Sequence, residues 1–435
     1  MDKVRRSVAI GLVNAEKNGY SNLLLGGVLQ GAGADERSRA FAAYLFYGVL
    51  ERQYTLDALL APYLKKPLKK LDPEVRAVLR SGLYQALYMD SVPQRAAVNE
   101  SVELCRDMGK GSAAGMVNAV LRRAVQAGLP DRFASEEERL SVLYSVHPAI
   151  AALLLQQYGT ETEEILAASF ERPAFAVRVN TLKTDSEALM RRLAQEGVQA
   201  RPGRLDDCLL LENVGSVSEL ASFREGLFHV QGEASQCVVR LLCPAPGHKA
   251  VDLCCAPGGK SATLAQLMED QGALYCRDAS PGRLTLAQTL LERLGVSIAS
   301  FSVGEGQQFA PAFTDADAVL CDVPCSGLGT MAKKPDIRQK DLSDIDALCA
   351  VQHGILHTAA AYPRVGGHLV YSTCTINRAE NQDVVRAFLK EHENYRMVSA
   401  ILPFPGAIHG DFGTLLLPNR AGTDGFFMAC LERLW

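Results

Sequence analysis

The fold of this chain is decided by residues 250–260, AVDLCCAPGGK, an apolar run that ends in a glycine turn. From here to residue 391, apolar runs alternate with segments that have helical periodicity. Strands that alternate with helices favour a parallel sheet with helices on both faces. Ligands of such a sheet bind beyond the carboxyl ends of its strands, so the glycine turn predicts one part of a cofactor site.

Two further apolar runs in this region end in cysteines. Cys325 lies in DVPCS, residues 322–326, and Cys374 lies in YSTCT, residues 371–375. The predicted topology puts both thiols at the same edge as the glycine turn, which points to covalent chemistry on a small electrophile. The alternative is that they are inert thiols in the core, because free cysteines are often buried.

The glycine turn matches neither common nucleotide motif. A P-loop requires a glycine where Cys254 stands, and Ala256 and Gly258 do not fit the GxGxxG spacing. S-adenosylmethionine fits better, because its carboxylate can bind the N–H groups at the start of a helix.

Two acidic residues follow the next two predicted strands. Asp278, at the end of the second strand, is placed to bind a ribose diol, although it could instead cap a turn with Pro281-Gly282. Glu305, after the third strand, is placed to accept a hydrogen bond from an adenine amino group, or is an exposed acid in a loop.

The rest of the chain predicts two smaller domains. Residues 1–135 are expected to be all-helical, with apolar residues at helical spacing over 40–50, 75–87, 98–104 and 117–125. A charged stretch at 135–139 suggests a boundary. Residues 150–240 predict a small α+β module with strands at 175–179 and 208–211 and a helix at 186–196. The catalytic domain would then span residues 241–435.

The net charge of −4 divides unevenly along the chain. Residues 1–135 hold 19 basic and 13 acidic side chains, a balance of +6, which leaves −10 for the remainder. A basic module is expected where one part of a protein binds phosphates. The pairs Lys65-Lys66, Lys69-Lys70 and Arg122-Arg123 either bind RNA or are solvated helix faces.

Several classes of protein are disfavoured. We find no signal peptide and no membrane span, which predicts a cytoplasmic protein with no membrane partner. The twelve cysteines are then expected to be reduced. His353 and His357 have the spacing of a helical metal pair, but Gly354 replaces the glutamate that a metalloprotease needs. We therefore expect no metal.

The motifs closely resemble those of the Sun/Fmu (RsmB-type) branch of the RNA cytosine-C5 methyltransferases, in the NOL1/NOP2/Sun family. The resemblance is carried by the glycine turn, DVPCS, KPDIR at 334–338, STC at 372–374, EN at 380–381 and DGFF at 424–427. VNE at 98–100 and VNAVLR at 117–122 resemble a NusB-type RNA-binding domain. The chain departs from the family pattern at Cys255, Glu305 and Val323, without losing a needed chemical group.

The resemblance implies a fold and an activity. The fold would comprise an all-α NusB-like domain, a small α+β (RRM/ferredoxin-like) module and an α/β Rossmann-like methyltransferase domain with a mostly parallel sheet. The activity would be methylation of C5 of a cytosine in 16S ribosomal RNA, cytosine 967, by a monomer that binds no DNA. The alternatives are another ribosomal or transfer RNA site, or a catalytically silent assembly or antitermination factor.

The resemblance also implies the site residues. S-adenosylmethionine would be bound by Cys254, Cys255, Ala256, Pro257, Gly258, Gly259, Lys260, Asp278, Arg283, Glu305 and Asp322. A cysteine thiolate would add to C6 of the base while Asp322 holds N3. Spacing leaves open which cysteine attacks; the resemblance favours Cys374 as nucleophile and Cys325 as the thiol that assists release.

Overall fold

The computed structural model describes residues 2–18, 21–33, 35–172 and 174–435. The chain divides into two compact units. The first comprises Met1–Ala167 together with Lys333–Leu342, and the second comprises Ala168–Ala332 and Ser343–Trp435.

The first unit is helical, as the apolar spacing predicts. Its helices are α1 (Lys3–Asn18), α2 (Ser21–Ala32), α3 (Glu36–Glu51), α4 (Gln53–Leu60), α5 (Pro73–Tyr88), α6 (Gln94–Asp107), α7 (Ala114–Ala127), α8 (Glu136–Tyr144), α9 (Pro148–Tyr158) and α10 (Thr162–Ala168). Helix α5 is buried along most of its length. Gly82 lets it pack closely on α6, since a Cβ there would lie 2.2 Å from Ser101 Oγ.

The charged stretch at 135–139 forms the start of a helix. Ser135 is the N-cap of α8, with its side chain accepting a hydrogen bond from the Glu138 N–H, and three glutamates occupy the first turn. Acidic side chains are favourable at this end of a helix. The first unit continues beyond this stretch to Ala167; the domain boundaries expected from the sequence stay a prediction.

A short segment from within the predicted catalytic domain, residues 333–342, belongs to the helical unit. Arg338 has no exposed surface, and its guanidinium donates to the Tyr144 carbonyl at 2.9 Å. Its own carbonyl accepts from the His147 N–H at 2.7 Å. Burial lowers the pKa of Arg338 to about 10. The segment is thus a packed part of the first unit.

The second unit begins with a small α+β module, which agrees with the predicted fold class. It contains β1 (Phe175–Val179), α11 (Ser186–Gln195), β2 (Gln199–Pro202), β3 (Cys208–Glu212), α12 (Ala221–Arg224) and β4 (Phe228–Val230). The antiparallel sheet has the order β2-β3-β1-β4. The predicted strands correspond to β1 and β3. Strand β2 has no buried residue and β4 has three residues, so neither gives a clear apolar pattern.

A nine-stranded sheet forms the rest of the second unit. Its elements are α13 (Glu233–Arg240), β5 (Lys249–Asp252), α14 (Gly259–Leu267), β6 (Ala273–Asp278), α15 (Pro281–Leu294), β7 (Ala299–Val303), β8 (Ala316–Asp322), α16 (Ile345–Ala359), β9 (Pro363–Thr373), α17 (Gln382–Glu391), β10 (Tyr395–Val398), β11 (Ile408–Gly410), β12 (Gly413–Leu416), α18 (Pro418–Ala421) and β13 (Phe426–Arg433). The strand order is β11-β12-β13-β9-β8-β5-β6-β7, with β10 paired to β13.

The predicted alternation accounts for strands β5 to β9, which are parallel. Strand β13 continues the sheet antiparallel to β9, and β10 and β12 pair antiparallel to β13. Strand β5 lies between β6 and β8, so the strand order reverses there. Such a reversal opens a crevice at the carboxyl ends of the strands.

Among the described residues, no single helix has the length and apolar character needed to cross a membrane. Within the same residues, one pair of helical segments reaches that length and apolar character when the two are counted as one span. These segments are Glu136–Tyr144 (α8) and Pro148–Ala168 (α9 and α10), and the angle between them is 116°.

Candidate active site

The predicted site residues follow the carboxyl ends of neighbouring parallel strands. The glycine turn follows β5, and Asp278 is the last residue of β6. Strands β8 and β9 are in register, with Asp322 opposite Ser372. This register brings the loops that follow β8 and β9, which carry the two cysteines, next to each other.

The two thiols are in contact. Cys325 Sγ and Cys374 Sγ lie 3.3 Å apart, and both side chains are half-buried. The pKa of Cys325 is raised well above its usual range by its hydrogen bond to Cys374, by burial, and by the negative charges of Glu380 and Asp322. In this pair Cys325 therefore holds its proton, and either sulfur can donate to the other.

A buried carboxylate holds the loop that carries Cys325. Glu380 has no exposed surface. Its oxygens accept from the Ser326 N–H at 2.7 Å, the Ser326 hydroxyl at 2.5 Å, Gln352 Nε2 at 3.0 Å and Asn377 Nδ2 at 3.1 Å. Gln352 Nε2 also donates to the Pro324 carbonyl at 2.9 Å. These contacts fix the backbone on both sides of Cys325.

A second buried pair holds the loop that carries Cys374. The Thr373 hydroxyl donates to Asn381 Oδ1 at 2.6 Å, and Asn381 Nδ2 donates to the Thr375 carbonyl at 3.0 Å. The Gly329 N–H donates to the Cys374 carbonyl at 3.0 Å. The adjacent Glu380 and Asn381 therefore support one cysteine loop each.

Asp322 lies on the same edge and is paired with a lysine. Lys260 Nζ donates to Asp322 Oδ2 at 2.6 Å, and the Ser372 hydroxyl donates to Oδ1 at 2.8 Å. Lys260 Nζ also lies 5.3 Å from the centre of the Phe426 ring. The sequence places Lys260 only in the cofactor turn and does not predict its contacts with Asp322 and Phe426, because the lysine and these partners are far apart in the chain.

The glycine turn is shaped by close packing. Gly258 has φ +102°, and a Cβ there would lie 2.9 Å from Ala287 Cα on α15. A Cβ at Gly259 would meet only ordinary contacts. Arg283 Nη2 donates to the Ala256 carbonyl at 2.9 Å, so this predicted residue contacts the turn directly.

Asp278 contacts both the residue that caps α15 and the glycine turn. Its carboxylate accepts from the Ser280 N–H at 3.0 Å and from the Ala256 N–H at 3.2 Å. A carboxylate has about four acceptor positions, so two remain for a diol. The structure therefore accommodates both interpretations of Asp278.

A buried carboxylate beneath the turn fits a cationic group. Asp252 is buried, and its Oδ2 accepts from the Ser261 hydroxyl at 2.6 Å. Oδ1 has no hydrogen-bond partner at normal geometry among the described residues. Burial raises the pKa of Asp252 to about 7. Together with the N–H groups at the start of α14 and the acceptors of Asp278, this unpaired oxygen matches the ammonium, carboxylate and diol of S-adenosylmethionine.

The remaining predicted residues differ in their surroundings. Glu305 is exposed, in the loop after β7. Burial raises the pKa of the Cys254 thiol, and a hydrogen bond to Cys276 raises that of Cys255. These two thiols therefore stay protonated, unlike a thiol suited to nucleophilic attack.

The fold and this edge of the sheet are those of an S-adenosylmethionine-dependent methyltransferase. Residues 239–432 match the family model described as 16S rRNA methyltransferase RsmB/F. Residues 3–126 match the NusB family, and residues 149–218 match the ferredoxin-like domain of RsmF/B-like methyltransferases.

Similar proteins span nearly the whole chain. The probable ribosomal RNA small subunit methyltransferase B of Bacillus subtilis is 33% identical, with 98% of each chain covered. The ribosomal RNA small subunit methyltransferase B of Pseudomonas putida is 33% identical, with 92% of each covered. The crystal structure of PH0851 has a TM-score of 0.86 and 26% identity over 100% of this chain and 99% of that one. A methyltransferase homologue from Pyrococcus horikoshii has a TM-score of 0.61 and 27% identity, covering 69% and 100%.

The chain belongs to the RsmB family of ribosomal RNA methyltransferases.

Proposed function

We propose that the chain methylates C5 of one cytosine in 16S ribosomal RNA, cytosine 967, through a covalent bond between Cys374 and C6 of the base. The observation that carries the proposal is the contact of 3.3 Å between Cys325 and Cys374 at the edge that holds the glycine turn. The names of the relatives, which specify the small ribosomal subunit, support the choice of RNA. We propose that the chain acts as a monomer.

The chemistry requires a nucleophilic thiolate, because C5 of cytosine is itself a poor nucleophile. Cys374 loses its proton to solvent and adds to C6, and the electron pair of the C5–C6 double bond moves toward C5. We assign to Asp322, held by Lys260 and Ser372, the hydrogen bond to N3 of the base, with one shared proton between its carboxylate oxygen and N3 during this addition. S-adenosylmethionine, when bound, supplies the methyl group as an electrophile.

Release reverses the addition. The C5 proton leaves, its electron pair restores the double bond, and the bond between Cys374 and C6 breaks to return a thiolate. We assign Cys325 to this step. Once Cys374 is bonded to carbon it carries no negative charge, which removes one of the causes of the raised pKa of Cys325. Cys325 can then lose its proton to solvent and accept the C5 proton.

The target base must leave any helical stack to reach these thiols. Specific recognition of RNA favours loops, where bases are already unstacked. A cytosine in a loop is therefore the proposed substrate.

Bisulfite sequencing of total RNA from a deletion strain tests the function. We expect one position of 16S ribosomal RNA to lose its 5-methylcytosine, and the wild-type gene but not the Cys374→Ala gene to restore it. Loss at a transfer RNA site instead would overturn the assigned substrate. An unchanged methylation map would overturn the proposed activity.

Asp278→Ala is expected to weaken S-adenosylmethionine binding by roughly 1–3 kcal/mol, through lost hydrogen bonds to a charged group. Isothermal titration calorimetry measures the change, with circular dichroism to confirm folding. Glu292→Ala, an exposed acid on α15, is the matched control and should bind normally. Equal affinities of the two variants would contradict the role of Asp278.

A lysine loop, residues 65–70, is the surface of the first unit best suited to RNA phosphates. Its backbone is held by Arg76, whose Nη1 donates to the carbonyls of Leu68 and Leu71 at 3.1 Å. Arg76 Nε in turn donates to Glu16 Oε1 on α1 at 2.8 Å. Leu68 is buried. Four exposed side chains, none in an ion pair within the described part of the chain, project from the loop: Lys65, Lys66, Lys69 and Lys70.

Replacing these four lysines by alanine should weaken RNA binding and reduce the salt dependence of the binding constant. The slope of log K against log salt should become less steep by about 0.7 for each lost phosphate contact to a single strand. Fluorescence anisotropy over a salt series measures both. The control replaces four exposed arginines that already face carboxylates, Arg191, Arg201, Arg386 and Arg396. An unchanged slope in the lysine variant would place the contacts elsewhere.

A further inference from the structure

Three histidines and a glutamate converge on the surface of the second unit, away from the cysteine pair in sequence. His353 and His357 lie one turn apart on α16, and Glu391 and His392 lie at the end of α17. His357 Nδ1 lies 3.1 Å from His392 Nε2 and 3.7 Å from Glu391 Oε2. The carboxylate of the cluster therefore comes from α17 and not from α16.

These distances suit a transition metal. Ligand atoms bound to zinc at about 2.0–2.1 Å in a tetrahedron lie about 3.3 Å from one another. The three atoms from His357, Glu391 and His392 all lie within 4.8 Å of one another. We propose that these three side chains bind a divalent transition metal ion, zinc above all, and leave a fourth position for water.

The surroundings of the cluster support metal binding. The His392 ring stacks on Phe388, with ring centres 4.3 Å apart and planes inclined by 24°, which orients the imidazole. His353 Nε2 lies 3.4 Å from Glu391 Oε2 and can orient the carboxylate as an outer hydrogen-bond partner.

The ion would join two helices that support the cysteine loops. Helix α16 carries Gln352, and α17 follows Glu380; these two side chains hold the backbone around Cys325. A metal bound by His357 and His392 therefore stabilises the helix pair without touching the reacting atoms. The role is structural and independent of the proposed catalytic steps.

Calorimetric titration of the reduced full-length chain with zinc chloride tests the site. We expect one zinc ion per chain, with affinity lost in His357→Ala and in His392→Ala. His353→Ala, which removes the outer hydrogen-bond partner of Glu391, should weaken the binding of zinc by about 10–100-fold. His409→Ala removes an exposed imidazole elsewhere and should bind as the wild type does. Zinc should raise the melting temperature of the wild type and of His409→Ala, but not that of His357→Ala.

The thiol pair is a competing zinc site, so a second measurement separates the two. Cobalt bound to histidine and carboxylate gives ligand-field bands without strong sulfur-to-metal charge transfer. A variant with Cys325→Ser and Cys374→Ser should retain both this spectrum and zinc binding. The proposal is overturned if the wild type binds no zinc, if His357→Ala and His392→Ala bind normally, or if binding disappears with the thiols.

Discussion

Cys325→Ala is expected to accumulate a covalent complex between protein and RNA that survives a denaturing gel and already carries the methyl group. Cys374 is intact in this variant, so it can still add to C6, but the thiol assigned to release is absent. Cys374→Ala should form neither the complex nor methylated product. The measurement is a denaturing gel of each variant incubated with 16S ribosomal RNA and a methyl donor labelled in its methyl group.

Cys243→Ala, which removes an exposed thiol outside the pair, is the control and should turn over normally without trapping RNA. A purely structural role for Cys325 would lower the melting temperature of Cys325→Ala and give no complex. A complex from Cys374→Ala and none from Cys325→Ala would reverse the assignment of the two thiols.

Glu380→Ala is expected to destabilise the second unit strongly. The carboxylate is fully buried and accepts four hydrogen bonds, from Ser326, Gln352 and Asn377. A buried donor left without a partner costs roughly 1–3 kcal/mol, so we expect the free energy of unfolding to fall by about 3 kcal/mol or more. Unfolding in urea, followed by circular dichroism, measures the loss.

Glu393→Ala removes an exposed glutamate just beyond α17 and should change stability by about 0.5 kcal/mol or less. Glu380→Gln keeps the shape of the side chain but puts an amide among the donors, so its stability should fall between that of Glu380→Ala and that of the wild type. If Glu380→Ala unfolds at the same urea concentration as the wild type, the four hydrogen bonds do not support the loop.

The sequence predicts well which residues lie at the carboxyl ends of the parallel strands, because the end of a strand follows from a local pattern of apolar residues. The apolar runs predicted at 250–254, 273–276 and 318–321 overlap β5, β6 and β8. In a parallel sheet their carboxyl ends must lie at one edge. The same rule places Cys325 and Cys374 at that edge, whereas their contact depends on the pairing of β8 with β9.

Contacts that depend on side chains distant in the chain could not be predicted. Gln352 lies in the middle of α16 and belongs to no motif, yet it contacts both Pro324 and Glu380. The pairing of Lys260 with Asp322 likewise joins residues on different elements. The antiparallel strands after residue 391 also went unpredicted, although Phe426–Leu431 is an apolar run, because the alternation of strand and helix ends there.

The segment 333–342 makes the gene for this protein hard to divide. Its buried Arg338 and Ile337 belong to the helical unit but are encoded about 170 codons after the rest of that unit ends at Ala167. A fragment that stops at Ala167 would lack the guanidinium that binds the Tyr144 carbonyl. Recombination just after the codon for Ala167 would therefore deliver an incomplete helical unit. When family members exchange gene segments, we expect residues 1–167 and 333–342 to be inherited from the same parent.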